Sequence, residues 1–336
     1  MNEKILFVLT FVISSIIFAK NEVNVYTHRH YDSDQSLFQK FEKETGIKVN
    51  VVNASADELI KKLELEGKRT PADILITVDA ARLHRAKSKN LLQPVISESL
   101  IKNVPSHLRD KDSYWYGLTY RARVIVYDPN KTNINDLSTY EDLANPKWKG
   151  KILTRSSSNA YNQSLIASII AHNGEEKTFE WAKGIVNNFA RTPKGNDRDQ
   201  AKAVLANEGE LAIMNTYYIG KMYNSSNELE RKVARTLKIF FPNQNGRGAH
   251  INVSGIGVTK YSKNKENAIK FIEFLTSEAA QKDFAEANYE YPVNPNVEAS
   301  KLVKSWGSFK ADTLNLSILG ELNENAVKIA DRAGWK

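Results

Sequence analysis

Short apolar runs of strand period alternate with helix-period segments over the first hundred residues beyond position 20. Val23 and Val25, with Tyr26, mark a strand. Asp32, Ser33 and Asp34 are cap-type residues, Leu37, Phe38 and Phe41 follow at helical spacing, and Gly46 stops the helix. Lys48 to Val52 reads as the next strand. Ser55 and Glu58 then stand three apart, a capping-box pattern ahead of "LIKKLELEG", with Gly67 as the stop. Ala72 to Val78 is a strongly apolar strand, and a further helix is expected from near Asp79. Strand, helix, strand, helix, strand predicts an open α/β sheet. Ligands of such sheets bind beyond the carboxyl ends of the strands. That draws attention to the turn after the first strand, with His28, His30, Tyr31 and Asp32.

"YRARVIVYDP", Tyr120 to Pro129, alternates between two blocks of this α/β pattern and reads as a strand crossing between lobes. The second block contains "GKILTRSSSNAYNQSLIASIIA", "TFEWAKGIVNNFA" and "QAKAVLANEGELAIMNTYYIGKM", in which strand Leu211 to Asn215 ends at a tyrosine pair. "FPNQNGRGAHINVSGIGVTK" is glycine-rich with strand-like ends and reads as the return crossing. Two helices and a strand are expected in the segment from Ser262 to Pro295. The chain thus divides into one lobe of residues 22–120 plus 246–290 and another of 121–245 plus 291–336. There is no internal repeat and no low-complexity linker.

The N-terminus adds an address. Ile5 to Ala19 carries no charge and spans 15 residues, preceded by Lys4. That length suits a signal-peptide core, 1–19, and falls short of the roughly 20 residues that cross a bilayer. The chain has no cysteine, hence no disulfide, no thiolate metal site, no cysteine nucleophile and no lipid-modifiable cysteine after the signal. An exported chain without an anchor points to the periplasm. The net charge is +8, and removing 1–19 takes away one Glu and one Lys, leaving it unchanged. Lys and Arg are interleaved with Asp and Glu, without a long basic run, which favours a solvated basic surface over a nucleic-acid site.

No G-x-S-x-G, H-E-x-x-H, P-loop or complete G-x-G-x-x-G occurs, and the six histidines are scattered at His28, His30, His84, His107, His172 and His250. A non-enzyme is expected. What stands out is tyrosine. Tyr31, Tyr161, Tyr217 and Tyr218 fall where the pattern places strand-to-helix turns facing a cleft. A phenol is neutral at pH 7, with a free pKa of about 10. Only a highly charged ion would ionise several at once. Phenolate oxygen is a hard donor, and tyrosinate is an established iron ligand, so Fe(III) fits, whereas zinc, copper and nickel favour His and Cys. The same residues also suit plain roles: Tyr217 and Tyr218 as packing, Tyr161 as part of a helix cap, His30 and Tyr31 as a surface turn.

Taken in order, "RHYDSDQSLFQKFEKETGIKVNV", "RTPADILITVDAARL", "RSSSNAYNQSL", "GND", "NTYYIGKM", "FPNQNGRGAHINVSG", "AIKFIEFLTSEAAQ" and "NYEYPVNP" resemble the periplasmic ferric-iron-binding proteins of ABC importers. The resemblance is to the cyanobacterial-type branch that uses mainly tyrosine ligands, and it covers about residues 22–336. It implies a two-lobed periplasmic-binding-protein fold of type II, its lobes joined by two crossing strands and closing on the ligand. It implies Tyr31, Tyr161, Tyr217 and Tyr218 as iron ligands, with His30 beside the site or ligating. Arg121, at the hinge, and Asn215, beside the pair, would support the ligands from behind. Three departures from related patterns stand out. Tyr161 occupies the place where the anion-using branch has a serine/glycine turn for phosphate. Asp79 stands where that branch supplies a longer carboxylate. Lys221 stands where relatives often carry arginine, keeping the charge but losing the planar fork. The implied partners are the ferric ion or its chelates and an inner-membrane ABC permease, with the protein acting as a monomer. A receptor for a polyamine, thiamine or similar solute is the alternative, and an exported metal-dependent hydrolase a more distant one.

Overall fold

The computed structural model describes residues 21–29 and 32–336. The expected signal peptide, 1–19, and the candidate ligands His30 and Tyr31 lie outside the described residues. Among those described, no helix is long and apolar enough to cross a membrane.

Among the described residues ten strands build one curled sheet: β1 (Glu22–Thr27), β2 (Lys48–Asn53), β3 (Ile74–Thr77), β4 (Leu92–Gln93), β5 (Tyr116–Tyr127), β6 (Ile152–Leu153), β7 (Leu211–Asn215), β8 (Lys238–Phe240), β9 (Ile251–Thr259) and β10 (Tyr291–Pro292). The main order is β2-β1-β3-β9-β5-β7-β6, with β4 on β9 and β8 and β10 on β5. β1, β2 and β3 are mutually parallel, as alternating strands and helices require. β5 joins the halves. It pairs with β9 from Tyr116 to Ala122 and with β7 from Arg123 to Tyr127, so its partner changes within one peptide unit. The return passage runs from β8, on the far half of β5, to β9, on its near half.

The first crossing strand starts four residues earlier than the sequence pattern predicted. Its early part hides a break: the pairing register with β9 shifts between Gly117 and Thr119. At Gly117 the carbonyl oxygen of Leu108 approaches to 2.8 Å of where a Cβ would stand, so no side chain fits there. The apolar alternation resumes only beyond that point. β3 is likewise shorter than the apolar run that predicted it. The other sequence signals translate directly. Ser55 and Glu58 form the reciprocal capping box of helix Ala56–Glu66. Leu37, Phe38 and Phe41 of helix Asp32–Thr45 are buried, and both phenylalanines meet Phe271 edge-on at 5.2 and 5.0 Å. Each such buried ring stabilises the fold by roughly 1.5–3 kcal/mol.

One carboxylate ties β1 to a distant turn. Asp73 accepts hydrogen bonds from the backbone and side chain of Asn24, from Ser262, from the backbone of Lys263, and from the backbone and side chain of Asn264. Burial works against its ionisation, but these donors, Asn264 foremost, outweigh that and lower its pKa. A carboxyl held below its unfolded pKa stabilises the native state above that value and loses the contribution as pH falls through the folded one. Asp73→Ala is therefore expected to cost about 2–4 kcal/mol near neutrality, because several part-buried donors lose their acceptor together. The deficit should shrink below about pH 4, where the unfolded carboxyl protonates. Denaturant unfolding of wild type and variant across pH 3–7 reads both; a deficit that does not change with pH contradicts the account.

Candidate functional site

Two helix starts deliver the tyrosines. β7 closes at Asn215, and helix Thr216–Tyr223 starts at the next residue, so Tyr217 and Tyr218 occupy its first turn. Asn159 caps helix Ala160–Asn173 by accepting from the backbone N–H of Tyr161, which places Tyr161 one residue inside that helix. The hydroxyls of Tyr161 and Tyr217 stand 3.3 Å apart. The rings of Tyr217 and Tyr218 lie 4.2 Å apart at 31°. Tyr217 is buried at 3% exposure, whereas Tyr218 is half-buried and opens to the cleft. Three phenol groups, from two helix starts, therefore converge. Among the described residues no group of three or more His, Asp or Glu side chains could hold a metal ion.

Positive charge backs these phenols. The guanidinium carbons of Arg121, Arg123 and Arg155 lie 5.3, 5.9 and 5.6 Å from the centre of the Tyr161 ring. Arg121 and Arg123 are two apart on β5 and so share a face of the strand. Arg123 donates to Asp197 at 2.7 Å, to Asn162 at 2.7 Å and to Asn215 at 3.2 Å. Asp197 also accepts from the backbone of Asn215 at 2.8 Å, and Arg155 approaches it at 3.4 Å. Asn215 thus locks the last residue of β7 to the Arg123–Asp197 pair, while its Nδ2 meets no partner among the described residues. Behind this layer His250 is held neutral, its pKa driven down to about 3 by burial and by Arg123 and Arg121. Burial, helped by Tyr161 and Asp197, pushes the Tyr218 phenol above its ordinary value. Without a cation that phenol is a neutral hydroxyl.

Asp79 has both oxygens committed. It caps helix Ala80–Ser88 through the backbone of Arg82, and accepts from Ser164 at 2.7 Å and Asn252 at 2.8 Å. Beside it, Arg82 donates to Gln163 at 3.2 Å. These bonds link the start of helix Ala80–Ser88 to helix Ala160–Asn173, which carries Tyr161. A cavity of about 310 Å³ lies alongside, lined by His28, Asp79, Arg82, Arg155, Tyr161 and Tyr218 among others.

Lys221 follows the tyrosine pair by one helical turn, its Nζ 5.5 Å from the Tyr217 ring centre. Burial lowers its pKa to about 8, with Arg29 and Arg198 adding to the effect and Glu290 and Asp34 opposing it. Those acids belong to a buried network: Arg29 chelates Asp34 at 2.7 and 2.9 Å and reaches Glu290 at 3.4 Å, while Thr119 donates to Glu290 at 2.7 Å.

The sequence marks Arg121 and Asn215 as supports of the ligands but not Arg123, Arg155 and Asp197. One signal was present for Arg123. In "YRARVIVY" two arginines fall on the same parity of an otherwise apolar strand, which reads as charge turned inward. Nothing local marked Asp197 as their partner.

Residues 69–311 match the bacterial extracellular solute-binding protein family. The chain is 52% identical to iron uptake protein A1 of Synechocystis over 94% of this chain and 88% of that protein. It is 31% identical to the major ferric iron-binding protein of Neisseria meningitidis, over 94% of this chain and 93% of that one. Among solved structures, a Trichodesmium protein in complex with iron and citrate ligands superposes with a TM-score of 0.92 at 51% identity, covering 94% of this chain and all of that one. The ferric binding protein from Campylobacter jejuni gives 0.89 at 48% identity over the same shares. The chain therefore belongs to the bacterial extracellular solute-binding proteins, within the group of ferric-iron-binding proteins that includes the cyanobacterial iron uptake proteins.

Proposed function

We propose that this chain is a periplasmic receptor that captures Fe(III) between its two lobes, 22–120 plus 246–290 and 121–245 plus 291–336, and delivers it as a monomer to an inner-membrane ABC permease. The ligands in this reading are Tyr161, Tyr217 and Tyr218 from one lobe, with Tyr31 and His30 from the other. Asn215 and Arg121 hold them from behind, Asp79 fastens the lobes beside them, and Lys221 adds positive charge next to Tyr217.

The observation that carries the reading is the convergence of phenol groups, Tyr161 and Tyr217 at 3.3 Å with the ring of Tyr218 tilted against that of Tyr217. Neutral phenols in that arrangement share hydrogen bonds. A trivalent cation displaces their protons and turns them into hard anionic donors whose charge offsets its own. A cationic organic solute such as a polyamine would need acids in the cleft, but the tyrosines here are backed by Arg121, Arg123 and Arg155. With no enzyme motif in the sequence and relatives described as binding and uptake proteins, we read the chain as a carrier and not a catalyst.

Addition of Fe(III) as a weak chelate to metal-free protein is expected to raise a visible band from phenolate-to-iron charge transfer. Tyr217→Phe and Tyr218→Phe should each weaken Fe(III) binding by more than the roughly 10–100-fold usual for loss of an outer-sphere partner. A colourless wild-type protein, or two variants of unchanged affinity, contradicts the receptor.

Binding should also weaken in acid. Metal-free phenols carry protons, burial raises that of Tyr218 further, and each must leave before the oxygen ligates. The apparent affinity is expected to fall by up to about tenfold per pH unit for each proton released. Competition titrations between pH 5 and 8 measure the slope, and a flat profile contradicts phenolate ligation.

A further inference from the structure

We propose that Trp335 is a positioning residue for ferric-ion capture: it clamps the loop of residues 154–159 and so fixes Tyr161 where it meets Tyr217. The inference rests on the ferric-receptor reading above.

The tyrosines are delivered in two different ways. β7 has five residues, pairs with β5 on one edge and β6 on the other, and runs straight into helix Thr216–Tyr223. Tyr217 and Tyr218 inherit their place from that strand. β6 has only two residues, and 154–159 separate it from helix Ala160–Asn173. Tyr161 therefore takes its place from a loop, which needs fastening of its own. Part of the fastening is local. Asn162 donates to the carbonyl oxygens of Arg155 and Ser156 at 2.9 and 3.2 Å, and Gln163 to those of Ser157 and Ser158 at 3.1 and 3.3 Å. Those bonds tie the loop to its own helix and would travel with it. Trp335 ties it to a remote one. The indole N–H donates to the carbonyl oxygen of Arg155 at 3.0 Å, and the carbonyl oxygen of Trp335 accepts from the hydroxyl of Ser157. The base of this clamp is rigid. Gly334, at φ 78°, ends helix Asn323–Ala333 and turns the chain so that the backbone N–H of Trp335 returns to the carbonyl of Ala330 at 3.0 Å. Trp335 is 1% exposed, its ring 5.3 Å from that of Phe189 and 6.1 Å from that of Trp181.

The indole N–H sets this tryptophan apart from a filler of the core. Ring packing by itself requires no donor, and a phenylalanine would supply it. A buried indole N–H must find an acceptor, and this one is spent on the loop. Arg155, whose carbonyl it takes, carries the guanidinium that lies 5.6 Å from the Tyr161 ring centre and 3.4 Å from Asp197. Two residues beyond Ser157, the side chain of Asn159 accepts from the backbone N–H of Tyr161 at 3.0 Å. Bonds to residues 155 and 157 thus set both the charge over Tyr161 and the start of the helix that holds it. The 3.3 Å approach of its hydroxyl to that of Tyr217 depends on them as well.

The test uses the mature protein and three variants. Trp335→Phe keeps a ring and removes the N–H, Ser157→Ala removes the other bond of the clamp, and Phe189→Leu loosens the same aromatic cluster with both bonds in place. Amide hydrogen exchange is measured on metal-free protein, Fe(III) affinity by competition against citrate, and the charge-transfer band per bound iron by visible absorption. Trp335→Phe is expected to exchange faster over residues 154–162 while residues 216–223 keep the wild-type rate. It should bind Fe(III) roughly tenfold or more weakly, with a weaker band per iron because Tyr161 contributes less of it. Ser157→Ala should move all three readings the same way, with an affinity loss of about threefold. Phe189→Leu should unfold at a lower temperature yet keep the wild-type band and affinity. If Trp335→Phe does not fold, Ser157→Ala decides by the same readings. Unchanged exchange over 154–162, unchanged affinity and band in both clamp variants, or an equal affinity loss in Phe189→Leu overturns the inference and leaves the receptor reading standing. If wild-type protein itself gives no band with Fe(III), both fall.

Discussion

The buried ion pair between Arg123 and Asp197 is the interaction on which the site depends. It draws together four separate parts of the chain: β5 through Arg123, helix Asp197–Leu205 through its first residue, the end of β7 through Asn215, and helix Ala160–Asn173 through Asn162. Two of those parts carry the tyrosines. Removing either charge would leave the other buried without a partner, a loss of about 3–5 kcal/mol. An apolar pair of the same volume could keep the fold, but it could not fix the starts of both tyrosine-bearing helices by directional bonds. The ion pair therefore sets position more than stability, and the 3.3 Å approach of Tyr161 to Tyr217 follows from it.

A second constraint acts one turn further along helix Thr216–Tyr223. Gly220 lies against Tyr289, whose Cβ is 2.5 Å from where a Cβ on residue 220 would stand. Tyr289 itself adopts a left-handed conformation, φ 57°, uncommon for a bulky residue and sustained only by its surroundings. One residue further on, Lys221 feels the negative charge of Glu290 and Asp34. The helix that presents the tyrosine pair is thus seated, through its next turn, on the segment that follows helix Glu278–Asn288. Together with the Asp79–Ser164 and Arg82–Gln163 bonds, this gives the two sides of the cleft several polar and close-packed contacts besides any ligand. Lobes joined in this way can be biased by a bound ion through a modest difference in free energy.

Much of this was legible in the chain. Strand Leu211 to Asn215 ended where the apolar run ended, the capping box at Ser55 and Glu58 formed as its spacing required, and the tyrosine pair fell at a strand end. Those features depend on residues within a few positions of one another. The start of β5 was misjudged because Gly117 and the register shift interrupt the alternation that reveals a strand. Arg123, Arg155 and Asp197 went unassigned because an arginine in a strand and an aspartate at a helix start each have ordinary local explanations.

The sequence by itself determined the alternation of strands and helices, the caps, and the supply of hard oxygen donors without cysteine. Periodicity and side-chain chemistry are local properties, readable in order along the chain. Only the tertiary structure decided that Tyr161 meets Tyr217, that Arg123 finds a carboxylate 74 residues away while Arg121 finds none among the described residues, and that both oxygens of Asp79 are spent on Ser164, Asn252 and a helix cap. Those outcomes depend on which strands lie side by side, and it is burial that makes a missing or a present counter-charge matter.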